Sequence, residues 1–271
     1  MERGFGKAKW VAVLLAGGMF ACGNADRDRA AYTDGSCDTP GCNGSGNGNG
    51  GSGNGGSAGS AGTAGVGDTL SGDSFVLDET ITGTQGYSGV VQVTAEADGG
   101  GYVQTDSDEL GHYELSGVSQ LPGWIAAQAT NQPDLLATWQ PFDAASQPTQ
   151  DLLMMRQSTL DLLIASANTT VIADASRGHV LVHVVDTNGV AKVGVKLAIN
   201  PGAELVLFDD GAGFSSNVDS TGSRGFMLLV NIPVNAHPGQ GVTFTVDDGG
   251  QSVPVETHTA RGAIGIFDLA L

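Results

Sequence analysis

Three kinds of side chain in this sequence could do chemistry by type and spacing: cysteines, clustered carboxylates with a few histidines, and tryptophans. Cys37 and Cys42 enclose four residues that include Pro40 and Gly41, a loop short and sharp enough to close a disulfide in an oxidising compartment. The alternative, zinc, needs a second pair of ligands that the neighbouring sequence does not supply. Among the carboxylates, Asp106 and Asp108 begin a run shaped like a calcium loop, but Leu110 and Gly117 stand where that template requires oxygen ligands. Together with Asp209 and Asp210 they remain candidates for a calcium site if loops converge, against the commoner role of turn aspartates that bind their own backbone. His179 and His183 sit four apart, which on a strand of ~3.3 Å per residue separates them by roughly 13 Å, too far to share an ion. Trp124 and Trp139, with Tyr102, could form an aromatic platform for sugar rings. Trp124 opens an apolar strand and reads as core, whereas Trp139, two residues before Pro141, reads as exposed and is the candidate ligand-binding residue. Nucleophilic catalysis has no support, because no G-x-S-x-G elbow occurs and Ser88 is set in the wrong spacing.

The elements that must position these residues are short strands. Residues 89–96 read GVVQVTAE and 178–186 read GHVLVHVVD. In the second run Val180, Val182 and Val184 face one way, and His179 and His183 the other, toward solvent or a helix. Gly, Asp and Asn clusters at 98–101, 187–189, 209–211 and 247–250 punctuate these runs, the pattern of antiparallel sandwiches. A faint repeat is visible: residues 111–118 (GHYELSGV) and 225–232 (GFMLLVNI) share Gly, Leu four later, Gly or Asn six later, and a β-branched residue seven later. Between them, 148–175 holds the one helical pattern, with Ser158 and Asp161 set as a capping box ahead of Leu162, Leu163 and Ile164. An edge strand plus loop is the alternative for that segment.

The amino-terminal third reads differently. Arg3, Lys7 and Lys9 precede an apolar run over 10–20 that is far below the ~20 residues a spanning helix needs. Met19-Phe20-Ala21-Cys22 resembles the lipobox of bacterial lipoproteins, with Met19 and Phe20 in place of the usual Leu and small residue. The resemblance implies cleavage before Cys22, lipidation of Cys22, and, with Gly23 rather than Asp following, an outer-membrane or cell-surface location. The alternative is a signal peptide cut nearby and a soluble secreted protein. Residues 43–67 are only Asn, Gly, Ser, Ala, Thr and one Val, so no side chain there can offset the cost of ordering the backbone. A coil of this length has an r.m.s. reach of about 30 Å.

From Asp68 onward there are 24 acidic side chains against six basic ones, which repels phosphate backbones and excludes nucleic acid as a partner. The order G-x-V-x-V-x-V-x-D-x-x-G (178–189), G-V-x-L (194–197), T-G-x-x-G-F (221–226) and N-I-P (231–233) resembles the carboxypeptidase regulatory-like domain, a transthyretin-like sandwich. The stretches 88–93, 105–106, 111–115 and 124–127 resemble it more faintly. The resemblance implies fold and not chemistry. Iron-dependent ring-cleaving dioxygenases share this fold, but the four tyrosines, Tyr32, Tyr87, Tyr102 and Tyr113, make no convincing Tyr/His ligand set.

The expectation is therefore an all-β chain of two small antiparallel β-sandwich modules, transthyretin-like or Ig-like. A signal peptide occupies 1–21, an anchor with the Cys loop 22–42 and a disordered linker 43–67. The first module spans 68–147, a helical connector 148–175 and the second module 176–271. The expected role is non-catalytic: a cell-surface lipoprotein held to the membrane by its amino-terminal lipid, offering the modules to a protein or glycan, with no cofactor unless calcium binds. A carbohydrate-binding module is the first alternative and a metal-dependent or hydrolytic enzyme the second.

Overall fold

The structure, a computed structural model, describes residues 68–97, 101–234 and 240–271. Cys22 and the Cys37–Cys42 pair lie outside these residues. The described chain is all-β apart from one helix. In the first half come β1 (Asp68–Leu77), β2 (Thr84–Gly86), β3 (Val91–Glu96), β4 (Tyr102–Asp106), β5 (His112–Val118), β6 (Gly123–Ala129), β7 (Ala137–Phe142), β8 (Leu152–Met154) and α1 (Gln157–Ser166). The second half holds β9 (Gly178–Val185), β10 (Lys196–Ile199), β11 (Leu205–Asp209), β12 (Phe214–Ser215), β13 (Phe226–Ile232), β14 (Gln240–Asp248), β15 (Gln251–Thr259) and β16 (Ala263–Ala270). Among the described residues no helix is long and apolar enough to cross a membrane.

Alternation builds the first sandwich. Val91, Val93 and Ala95 of β3 and Ile125, Ala127 and Ala129 of β6 point inward and meet Leu70, Tyr113, Leu115, Leu152 and Met154 from the facing sheet, burying one apolar layer. The facing sheet runs β2-β1-β5, with β8 parallel to β1. In the second sandwich Val180, Val182 and Val184 of β9, with Met227 and Leu229 of β13, pack on Phe244, Val246 and Val255 of the sheet β10-β14-β15.

The two sandwiches share a sheet. β16 pairs parallel with β9 along its length and parallel with β7 through Ala263↔Ala137 to Gly265↔Trp139, so nine strands run continuously as β12-β11-β13-β9-β16-β7-β6-β3-β4. The expectation of purely antiparallel modules is corrected at β1–β8, β7–β16 and β9–β16.

A third apolar layer covers the other face of this sheet. Leu181, Leu207, Leu228, Val230, Ile264 and Ile266 lie under Leu160, Leu163 and Ile164 of α1, and Leu77 and Ile81 of the β1–β2 loop close the same layer. Burial on both faces explains why β9 and β13 read as almost unbroken apolar runs rather than as alternations.

The segment between the modules combines the two forms considered for it, since β8 is a strand and α1 a helix. The capping box does not form. The helix starts two residues earlier, Arg156 occupies the N-cap position without a side-chain cap, and the Gln157 N–H donates instead to the Asp134 carbonyl at 2.7 Å. Asp161 takes a hydrogen bond from the Gln157 side chain at 2.9 Å, a pair one helical turn apart.

The repeat has a physical basis. Gly111 and Gly225 both have positive φ, at 84° and 72°. A Cβ at either would meet a backbone carbonyl, Tyr87 O at 2.5 Å or Val184 O at 2.4 Å. Four residues earlier, Ser107 and Thr221 make the same pair of bonds. Each N–H donates to a valine carbonyl (Val91 or Val195), and each hydroxyl accepts that valine's N–H, at 2.9 and 3.1 Å.

His179 is 1% exposed on the α1 side of β9, and burial lowers its pKa from the ordinary 6.5 to about 4. The imidazole is neutral at Nδ1, which accepts the Asn231 N–H at 3.3 Å. The unfolded chain takes up a proton here near pH 6.5 and the folded chain does not. The stabilisation is therefore complete above pH 6.5 and is lost as pH falls toward 4, by about 3 kcal/mol. Urea denaturation from pH 7 to pH 4 should show this loss, and His179→Gln, which keeps an acceptor, should remove that part of the slope. Equal pH dependence in both proteins would contradict the assignment.

Candidate functional site

Directly opposed residues in a sheet share a face, so the pairings of β4, β3, β6 and β7 determine what lies outside the first sandwich. Glu96 opposes Tyr102, Thr94 opposes Ala126, Ala126 opposes Trp139, and Trp124 opposes Pro141. With Val91, Val93 and Ala95 inward, the outward face carries Gln92, Thr94 and Glu96, with Tyr102 on one side and Trp124 on the other. The three aromatic residues thus share one face, Trp124 with them and not in the core where the sequence reading put it.

They are not equally available. Tyr102 is 53% exposed and Trp124 is half-buried, but Trp139 is 3% exposed, which corrects the expectation of an exposed Trp139. Its cover is β15: the His258 ring lies 6.0 Å from that of Trp139 and 4.6 Å from that of Trp124, edge-on to the latter at 85°. Burial lowers the His258 pKa to about 4, so this ring is neutral at physiological pH, and its Nδ1 is buried without a hydrogen-bond partner among the described residues.

Glu96 stands between the two accessible rings. Burial raises its carboxyl pKa, a hydrogen bond from the Trp124 backbone opposes the rise, and the nearby charge of Glu256 on β15 adds to it. Beside it a shallow cavity of about 170 Å³ is lined by Glu96, Ala97, Gly101, Tyr102 and Ser119. A carboxylate flanked by aromatic faces can accept hydrogen bonds from hydroxyl groups while the rings stack on apolar C–H surfaces. Sequence reasoning passed over Glu96, Glu256 and His258. The alternation of 89–96 could have placed Glu96 outside, whereas the approach of β15 has no local signal.

Three of the four calcium candidates, Asp108, Asp209 and Asp210, are engaged by backbone N–H groups. Asp209 is fully buried, and its carboxylate accepts four backbone N–H groups. Oδ1 takes those of Gly211 and Arg224, and Oδ2 those of Gly222 and Phe226, at 2.9–3.2 Å. Asp210 Oδ1 accepts from Ala212 and Gly213 at 2.9 and 2.8 Å, and the Gly213 and Ala212 bonds hold its pKa below the usual carboxylate range. Asp108 Oδ1 accepts from Leu110 and His112, both at 2.9 Å, and Asp106 is exposed on β4. Among the described residues no three His, Cys, Asp or Glu side chains gather as a metal centre would require.

Two histidines pair with carboxylates: His112 with Asp73 at 2.9 Å on the open surface, and His183 with Asp268 at 3.0 Å, its ring stacked on Phe226 at 4.5 Å. Among the described residues neither imidazole is hydrogen-bonded to a hydroxyl that it could activate.

No family model matches the chain, and no curated protein matches it. Among solved structures it is similar to the Bacillus anthracis TIE protein, with 9% sequence identity and a TM-score of 0.25 over 75% of this chain. It spans 33% of that chain's length, and a likeness this slight carries no argument about function.

Proposed function

We propose that this is a non-catalytic surface protein, anchored by lipid at Cys22, that displays two carboxypeptidase regulatory-like sandwiches on the spacer 43–67 and makes contact through the outer face of β4-β3-β6. The observation that carries this reading is the row Tyr102–Glu96–Trp124, two accessible rings on either side of a carboxylate, on a sheet stiffened by fusion to the second sandwich. The motif order T-G-x-x-G-F and N-I-P supports the family resemblance, and the matching bonds of Ser107 and Thr221 support a duplicated module. Mass analysis of the mature amino terminus tests the anchor: a diacylglycerol adduct on Cys22 is expected, and an unmodified cysteine would remove it.

The same row favours a glycan as the bound partner over a flat protein contact, because ring faces beside a hydrogen-bond acceptor suit a sugar's apolar and hydroxylated sides. On a glycan array, Tyr102→Ala and Trp124→Ala should each reduce binding by about tenfold or more, corresponding to ~1.4 kcal/mol. Binding that survives both substitutions would exclude this face as the sugar site. No signal with any glycan would retire the glycan reading in favour of a protein partner.

A further inference from the structure

On the far side of the molecule, the β1–β2 loop, the outer side of α1 and the β11–β12 hairpin surround an open cavity of about 190 Å³. Its wall is chemically divided. Leu162, Leu163 and Phe214 are apolar, Arg224 brings a cation from the turn before β13, and Glu79 brings an anion from the β1–β2 loop.

The cation is held in place, and the anion stands on an ordered loop. The Arg224 guanidinium carbon lies 5.8 Å from the centre of the Phe214 ring, and Nη2 donates to the Gly213 carbonyl at 2.7 Å. Nε is buried with no hydrogen-bond partner among the described residues. Its nearest carboxylate, Asp209, lies 3.9 Å away and already binds four backbone N–H groups. This cation is therefore fixed in position beside a buried carboxylate, with its Nε left without a hydrogen bond among the described residues. Glu79 is exposed, but its loop is built: Asp78 Oδ1 accepts the Thr80 N–H at 2.9 Å, the Asp78 N–H donates to Gly83 O at 3.0 Å, and Ile81 is buried beneath. Leu162, 49% exposed, presents a large apolar side chain to solvent at the cavity wall.

We propose that this cavity binds a small zwitterion with an apolar side chain, such as a free aliphatic or aromatic α-amino acid. Arg224 would take the carboxylate, Glu79 the ammonium group, and Leu162, Leu163 and Phe214 the side chain. At about 190 Å³ the cavity is smaller than the ~300 Å³ at which pockets for drug-sized ligands begin, so the occupant is small. A simple organic anion would be repelled by Glu79 and by the net charge of −18 on the chain. A simple organic cation would be repelled by Arg224. A molecule carrying both charges satisfies both walls and links the first module, through Glu79, to the second, through Arg224.

The test is calorimetric titration of the full chain with L-leucine and L-phenylalanine beside two single-charge analogues, 3-phenylpropanoate and phenethylamine. The amino acids should bind saturably and each analogue about tenfold or more weaker, the ~1.4 kcal/mol equivalent of one lost charged contact. Glu79→Gln should remove the preference over 3-phenylpropanoate, and Arg224→Gln the preference over phenethylamine. Leu162→Asp, at an exposed position, should weaken every ligand without unfolding the chain, and it keeps the test open if Arg224→Gln does not fold. Equal binding by the analogues, no saturable heat with any of the four, or affinities unmoved by Glu79→Gln and Leu162→Asp would overturn the proposal. The proposal does not depend on the sheet-face reading, and either can fail alone.

Discussion

Asp209→Ala should lower the free energy of unfolding by about 5 kcal/mol. The side chain is fully buried and accepts four backbone N–H groups, two of them in the turn that feeds β13 and one from the first residue of β13. Each buried donor left unsatisfied costs ~1–3 kcal/mol, so four span ~4–12 kcal/mol, and water can reach the exposed Gly211 and the half-exposed Gly222 and Arg224 positions but not Phe226, which sets the sum near the low end of that range. β13 is buried on both faces, so loosening its first residue disturbs two apolar layers together. Asp209→Asn is the informative control. It keeps one oxygen and turns an amide donor toward two N–H groups, so it should lose at least half as much stability despite its matched shape. Urea titration with and without a stabilising osmolyte measures both variants, because a loss of this size approaches the whole stability of many domains. A change below ~1 kcal/mol in the alanine variant would mean that the four bonds contribute nothing net.

The strands were legible where burial is one-sided. In 89–96 the alternation gave both the element and its faces, and in 178–186 it separated the valines from the histidines, although both faces of β9 proved to be covered. What joins the modules was not legible. β7 and β16 pair in parallel across more than a hundred residues, and such pairing leaves no turn or spacing behind it. Trp139 illustrates the consequence. Its nearness to Pro141 suggested an exposed ring, and the ladder with β16 ends at Trp139, before the proline that could not have donated to it, yet the ring is buried. The cover came instead from His258 on β15, a strand that follows more than a hundred residues later. The aspartates were found as clusters, but clustering does not distinguish a metal ligand from a carboxylate already engaged by backbone N–H groups, and Asp209 and Asp210 are the second kind.

The next-to-last position of the repeat gives the second large effect, because the two copies solve one backbone problem differently. Six residues after Gly111 and Gly225 the chain turns left-handed: Gly117 at φ 80° and Asn231 at φ 58°. Gly117 does only that. Asn231, 4% exposed, also accepts the Asp174 N–H through Oδ1 and donates through Nδ2 to Ile172 O and Glu204 Oε2, each at 2.9 Å. It thereby ties the chain leaving α1 to the bulge where β13 and β9 shift register. Asn231→Ala should cost about 4 kcal/mol, from three side-chain bonds at ~1 kcal/mol each plus ~1 kcal/mol for alanine at positive φ. Asn231→Gly removes the same bonds without that last penalty, so it should be the milder variant by about 1 kcal/mol. Gly117→Asn runs the exchange in reverse. The nearest atom to a Cβ there is Val103 Cγ1 at 3.7 Å, so asparagine fits and the loss should stay within ~1 kcal/mol. Chemical denaturation of the three variants decides the matter. Wild-type stability in Asn231→Gly would show the side-chain bonds to be idle, and an unfolded Gly117→Asn would show that the two copies do not share this backbone solution.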